Sequence, residues 1–481
     1  MNLVKASKAI FLTMIFLSSA LLGQKPDKLE KISRFIESKR KSNNIPGMGV
    51  AIVHNDSIIF SRGFGKDGNG NPVNTNTPFA IASLSKAFTA MAVMQLIDAG
   101  KIDPDIPFIH YLHSFELSDP RYKEITIRQL LNQTSGLSDI VFPEMKFREQ
   151  PESLTKSIER LKNVRLNNDP GKQFHYHNPN YQILALLVET VSNESFSDYL
   201  HKNILIPLEM NNTSMVSNTK EMFDSSSIKL SRGHVFYFGI PVKINEPQWF
   251  VEGAAGMIST VNNMANWMIL QIKDGDFKNR QILSKNSIQM MYSPPGNIES
   301  SYGMGWIKLE KNSFYHSGLL WTYEAEEIIL KDRNYGIIVL SNGGLSVFQD
   351  YYSFIQGISD ILNNQKPEKS FFSKRLVGLI FGLLALATII SGLYRLSHLK
   401  KWVVKTRNCS KWRIRLRFLP LLLPVLFLLS IPVFITLSGR ALNFERIFLI
   451  MPEVIIWLGL WSIFNTIIFV ARVKILSSSK S

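Results

Sequence analysis

Cysteine is nearly absent: Cys409 stands alone among 481 residues. That excludes a disulfide within the chain and any zinc site built from several thiolates. Acidic residues are scarce in one region. Beyond Ser373 the only acids are Glu445 and Glu453, against sixteen Lys and Arg. From Gln24 to Ser373 acids and bases balance, so the formal net charge of +16 belongs almost wholly to the C-terminal part. Basic residues flanking apolar runs are the mark of membrane topology rather than of a nucleic-acid footprint, so no nucleic acid is expected as a partner. There is no repeat of fixed period and no low-complexity tract. With 45% hydrophobic and 11% aromatic residues the chain can bury a core, which excludes a disordered protein.

The apolar runs lie at the two ends. Residues 1–23 carry Lys5 and Lys8, an apolar run from Ala9 to Leu17, then Ser18, Ser19 and Ala20. This is a signal-peptide layout, its core short for a span. Three longer spans follow near the C-terminus: Leu376–Tyr394, Phe418–Leu437 and Ile447–Val470. Each approaches or exceeds the ~20 residues that cross hydrocarbon. The first loop holds Arg395, Lys400, Lys401, Lys405, Arg407, Lys411, Arg413, Arg415 and Arg417 with no acid. The positive-inside rule puts that loop in the cytoplasm and residues 24–365 outside, periplasmic or on the cell surface. The expected organisation is a signal peptide (1–23), an exported domain (24–365), a linker (366–375), a three-helix membrane region (376–474) and a cytoplasmic tail (475–481). Glu453, following Pro452, is expected near the outer interface.

Within the exported part, Gly47–Val53 and Ile58–Gly63 read as a β-hairpin. An apolar helix spans Leu84–Ala99 and ends at Gly100. The middle is largely helical. Gly303–Leu309, Tyr323–Leu330 and Tyr335–Leu340 read as strands and Val347–Leu362 as an amphipathic helix. Strands from both termini around a helical middle point to one sheet with a helical insertion.

The chemistry starts at Ser83-Leu84-Ser85-Lys86. The spacing S-x-x-K occurs seven times, but only here does it open an apolar helix. Three residues apart, the Ser and Lys side chains share a helix face. Burial and the helix dipole both favour the neutral amine at Lys86, a form that can take the serine proton. The Ser83 amide, in the first turn, is free to hold an oxyanion. Tyr176-His177-Asn178 is the only Y-x-N in the chain. Beside a cation, Tyr176 would lose its proton more easily and relay it; equally, it is a loop tyrosine packing the next helix, with Asn178 as a cap. His316-Ser317-Gly318 precedes the strand at Tyr323. It reads either as an edge strand that a substrate backbone approaches, with the Leu319 amide as second oxyanion donor, or as a hairpin turn.

In this order the three motifs resemble the serine β-lactamase/penicillin-binding-protein family, in its class C β-lactamase-like branch. Ile45-Pro46-Gly47, Pro78–Ser83, Leu130–Leu137, Glu252–Thr260 and Tyr302–Trp306 extend the likeness over roughly Asp27 to Leu362. The resemblance implies an α/β (α+β) fold, an antiparallel sheet flanked by helices plus an all-α subdomain. It also implies roles: Ser83 as acylated nucleophile, Lys86 as its activator and Tyr176 as proton relay. Asn178, His316 and Gly318 would contact substrate, and the Ser83 and Leu319 amides would form the oxyanion hole. No metal or cofactor is implied. His316 stands where many relatives have Lys, Gln133 where they often have His, and Leu319-Leu320-Trp321 where they often have glycines. The expected activity is that of a membrane-anchored extracytoplasmic serine hydrolase acting on a peptide, ester or lactam, small or derived from the cell wall. The alternative is a penicillin-binding sensor or binding module that acylates without turnover.

Overall fold

The computed structural model describes residues 27–478 apart from 114, 116, 225–227, 311, 347–351, 369–372 and 408. The signal-like residues 1–23 and the extreme tail lie outside the described residues.

The first helix, α1 (Lys28–Ser42), leads into β1 (Gly47–His54) and β2 (Ser57–Gly65). Asn55 turns that hairpin at φ +57°, a conformation Asn tolerates. Helix α2 (Ser85–Asp98) follows, then a run of short helices and α3 (Asn178–Ser192), which make the helical subdomain. Helix α4 (Val261–Ile272) precedes β3 (Ile307–Leu309), β4 (Ser313–Leu319), β5 (Glu324–Leu330) and β6 (Tyr335–Ser341). Helix α5 (Ser353–Leu362) completes the body.

The six strands form one antiparallel sheet in the order β3-β4-β5-β6-β1-β2. The N-terminal strand therefore pairs with the last, Val50 opposite Val339. Alternation along β1 sends Val50 and Ile52 to one face and Ala51 and Val53 to the other. The first face is covered by Ile32 and Ile36 of α1 and Ile355 and Ile358 of α5. The second belongs to the large core that also holds α2, α3 and α4. With both faces covered, β1 is buried along nearly its whole length and reads as a continuous apolar run. Phe88 of α2 stacks on Trp267 of α4, ring centroids 3.9 Å apart, and burial of each such ring stabilises the body by ~1.5–3 kcal/mol.

Two expectations need correction, the strand at Gly303–Leu309 and the start of the third apolar span. The strand expected at Gly303–Leu309 is only Ile307–Leu309, and Ser313–Leu319 is a further strand. His316 thus lies inside β4, not in a turn. The alternation there is hidden because His, Ser and Gly occupy positions that an ordinary strand fills with apolar residues. The helix expected from Val347 is described from Ser353 onward, residues 347–351 lying outside the described residues. The third apolar span does not begin at Ile447. Helix α8 (Phe444–Ile450) stops at Met451, and Pro452, which cannot donate to the preceding turn, starts a new helix, α9 (Pro452–Ser478); here α6 (Lys374–Ser397) and α7 (Lys411–Leu437) are the other two long helices.

All three long helices are long and apolar enough to cross a membrane. Helix α9 packs against both α6 and α7. Inside this bundle Arg395 donates to Asn465 at 3.0 Å. The bundle sits against the body. The Lys374 ammonium donates to the Gly344 carbonyl at 3.1 Å, and the Lys374 amide to Asn43 at 3.0 Å. Glu453, in the first turn of α9, accepts from the Gly239 amide at 3.4 Å.

Candidate active site

Ser83 sits in a single 3₁₀ turn, Ala82–Leu84, that runs directly into α2. Ala82, just before it, has φ +47°, left-handed backbone that costs a non-glycine residue about 1–3 kcal/mol and is tolerated where the surroundings hold it. The clamp is Ser85, whose hydroxyl donates to the Ala82 carbonyl at 2.6 Å and accepts from the Met257 amide at 3.0 Å. One turn on, the Lys86 nitrogen lies 3.2 Å from the Ser83 hydroxyl and donates to Asn178 Oδ1 at 2.8 Å and to the Ala254 carbonyl at 2.9 Å, which in the neutral amine leaves its lone pair for Ser83. Lys86 is fully buried. Burial holds its pKa well below the usual lysine range, and the nearby Arg440 guanidinium pushes the same way.

Tyr176 closes the triangle. The Lys86 nitrogen lies 4.8 Å from its ring centroid, and its hydroxyl shares a hydrogen bond with Ser83. The sequence suggested that a neighbouring cation would ease its ionisation. Burial outweighs that pull and drives the phenol up to about 12. Of the two groups beside Ser83, burial moves the Lys86 amine towards the form that accepts a proton and the Tyr176 phenol away from it. Asn178 is buried and committed on both sides, accepting from Lys86 and donating to Glu144 Oε1 at 2.6 Å.

His316 faces this group from β4, its ring 6.2 Å from that of Tyr176. Its Nδ1 lies 2.7 Å from the Ser317 carbonyl, which only accepts, so Nδ1 carries the proton and Nε2, 3.3 Å away, accepts from the Tyr302 hydroxyl. Burial pushes His316 down to about 3, so the imidazole is neutral. Gly318 is pressed against the nucleophile turn: a Cβ there would fall 2.0 Å from the Ile81 carbonyl oxygen. The Leu320 amide donates to the Tyr323 carbonyl at 2.9 Å. Hydrogen bonding alternates along an antiparallel pair, so the Leu319 N–H faces the other edge. That edge is open, because the pairing of β3 with β4 stops at Tyr315.

Ser83, Lys86, Tyr176, Asn178, His316, Gly318 and Leu319 thus converge on one crevice between sheet and helical subdomain. Gln133 stands behind it at φ +61°, its side-chain oxygen accepting from the His177 amide at 3.0 Å and from Asn180 at 2.6 Å. It fixes the backbone that carries Tyr176 and Asn178.

Sequence reasoning missed several members of the site. Glu144 is buried, which raises its pKa to about 7 with help from Asp139. Tyr302 was noted only within a similarity motif. Arg440 was counted only among charges between spans, yet its guanidinium lies 4.9 Å from the Tyr176 ring centroid and pairs with Asp139 at 3.6 Å. Nothing local in the sequence marks Glu144 or Arg440, since each reaches the site through tertiary packing.

The chain is similar in sequence and in fold to known proteins. The family model described as Beta-lactamase matches residues 32–352. Protein flp of Staphylococcus aureus (strain N315) is 27% identical over 325 residues, 66% of this chain and 63% of the relative, so the chain spans less than two thirds of that protein. Penicillin-binding protein 4* of Bacillus subtilis (strain 168) is 26% identical over 66% of this chain and 72% of its own length. Among solved structures, the octameric penicillin-binding protein homologue from Pyrococcus abyssi superposes with a TM-score of 0.59 at 23% identity, covering 70% of this chain and 78% of its own. EstCE1, a hydrolase with promiscuous acyltransferase activity, does so with 0.57 at 17% identity, covering 70% and 98%. With the family model covering well over half its length and the sheet, helical subdomain and S-x-x-K helix in place, this chain belongs to the beta-lactamase family.

Proposed function

We propose that this chain is a membrane-anchored extracytoplasmic serine hydrolase that works through an acyl-enzyme on Ser83. The observation that carries the reading is the Lys86 amine, buried, held towards its neutral form and 3.2 Å from the Ser83 hydroxyl. As Ser83 Oγ bonds to a substrate carbonyl carbon, its proton passes to Lys86 Nζ. The carbonyl oxygen becomes an oxyanion held by the Ser83 and Leu319 amides. Collapse breaks the bond to the leaving group, which takes the proton back through the Tyr176 hydroxyl. Water then attacks the ester, giving its proton to the same pair, and Ser83 is released with a carboxylic acid. Each step uses groups of this chain alone. His316, being neutral, offers a substrate a hydrogen-bonding partner and no positive charge, which favours ester or amide groups over a free carboxylate at that position. The three long helices and the basic loop between α6 and α7 support the anchoring and the outward orientation.

The test is labelling by a small fluorophosphonate. The full-length protein is expected to take up one label, and Ser83→Ala to take up none. Undiminished labelling of the variant would remove Ser83 from the mechanism. Intact-protein mass spectrometry after a pulse of acyl substrate then reads turnover: return to the free mass marks a hydrolase, a lasting adduct a sensor.

A further inference from the structure

The segment joining α7 to α9 roofs the nucleophile. The Ala441 amide donates to Asp139 at 3.1 Å, and the Arg446 guanidinium donates to the Met145 and Gln248 carbonyls at 2.5 and 2.8 Å. Arg446 also lies over the Trp321 ring at 4.9 Å, and the Trp321 indole donates to the Arg446 carbonyl at 3.3 Å. Under this roof is a cavity of about 360 Å³ that begins at Ser83. One wall is Leu319, Leu320 and Trp321 of the body; the other is Ile435 of α7, with Leu442 and Ile450 from the joining segment. Such a lining takes an apolar group.

The location adds a second argument. Ile435 lies in the last turn of a helix apolar enough to cross a membrane, so the far wall of the cavity stands at the level where that helix leaves the bilayer. A third comes from the adjoining space, which shares Ser438 and Arg440 with the first. A second cavity, about 340 Å³, is bordered by Asp139, His175, Tyr176 and Arg440. Tyr176 is the group placed to return the proton to the leaving group, so the leaving group belongs in this cavity, which Asp139, His175 and Arg440 make the more polar of the two, and the acyl group in the first.

We propose that the site takes amphiphiles: an ester or amide whose apolar acyl chain fills the cavity between Ser83 and the membrane helices, and whose polar leaving part lies beside Tyr176 and Arg440. This rests on the Ser83 reading above and names its substrate class. The balance is simple hydrolysis, water adding across the acyl bond to give a fatty acid and a polar alcohol or amine.

The experiment uses full-length protein in lipid nanodiscs and two fluorophosphonates, one with methyl and one with octyl on phosphorus. Serine displaces fluoride, and the alkyl group takes the acyl position. The quantity read is the ratio of second-order labelling rates at Ser83, octyl over methyl, which is independent of how much protein is folded. Burial of each methylene favours the longer probe by up to about fourfold. A ratio above about tenfold is expected, falling at least about tenfold in Leu442→Trp and Ser438→Trp, which fill the cavity from the roof. A ratio near one in the unmodified protein overturns this inference and leaves the serine hydrolase standing. So does a high ratio that both tryptophan variants preserve, since the chain then binds elsewhere. Failure of both probes to label Ser83 overturns the underlying hydrolase reading, and this inference with it.

Discussion

Lys86 is hydrogen-bonded to neutral groups: a hydroxyl, an amide oxygen and a carbonyl. Desolvation is the largest influence on its charge, the Arg440 guanidinium adds to it, and the Glu144 carboxyl opposes it without reversing the direction. A base is needed there rather than a cation, so Lys86→Arg is expected to be as damaging as Lys86→Ala. A guanidinium stays charged and cannot accept the serine proton. Both should slow fluorophosphonate labelling by about a thousandfold, in the range of a lost general base; near-normal labelling of the arginine variant would show that charge alone suffices. Glu144 gives a pH signature. Burial raises its pKa to about 7 in the folded protein, whereas the exposed group titrates near 4.5. Between those values the folded state holds a proton that the unfolded state has lost, so this group's contribution to stability falls as pH rises from about 4.5 to about 7. Glu144→Gln removes that dependence. Its thermal midpoint should gain on the unmodified protein over this window, on the order of 3 kcal/mol in all; parallel midpoints across the window would contradict it. Ser83 and Lys86 were legible because a polar pair opening an apolar helix stands out locally. Glu144 and Arg440 were not, because what makes them special is the company that folding gives them.

Among elements, the decisive contact is between β4 and the turn before α2. Gly318 allows it, since any Cβ would collide with the Ile81 carbonyl. Gly318→Ala must push the strand off the turn and with it the Leu319 amide from the Ser83 amide. A displacement of about 1 Å in such a site costs roughly a hundredfold in rate. Labelling of Gly318→Ala is therefore expected to slow by about that factor while its thermal midpoint shows the body still folded; an unchanged rate would mean that the strand does not position the oxyanion donors. The hairpin β1–β2, helix α2, strands β5 and β6 and the three apolar spans were legible from period, turn residues and run length. Strand β4 was not, because His316, Ser317 and Gly318 break the apolar pattern of a core strand. The break at Pro452 was readable from the proline, but an uninterrupted apolar composition across it masked the short helix α8.

For the molecule as a whole, the charge arithmetic and the fold describe one design. A neutral body carries the candidate site, and the basic excess lies around three helices long and apolar enough to cross a bilayer. The joining segment between α7 and α9 then has two tasks, connecting spans and covering Ser83, and only the second required the structure to be seen. The most direct measurement is labelling of intact cells expressing the full-length protein with a charged, membrane-impermeant fluorophosphonate, followed by peptide mapping of the adduct. A single adduct on the Ser83 peptide, formed without opening the cells and absent from Ser83→Ala, is the expected result. No adduct, an adduct on another residue, or labelling that appears only after the cells are opened would contradict an acylated Ser83 held at the outer face of the membrane.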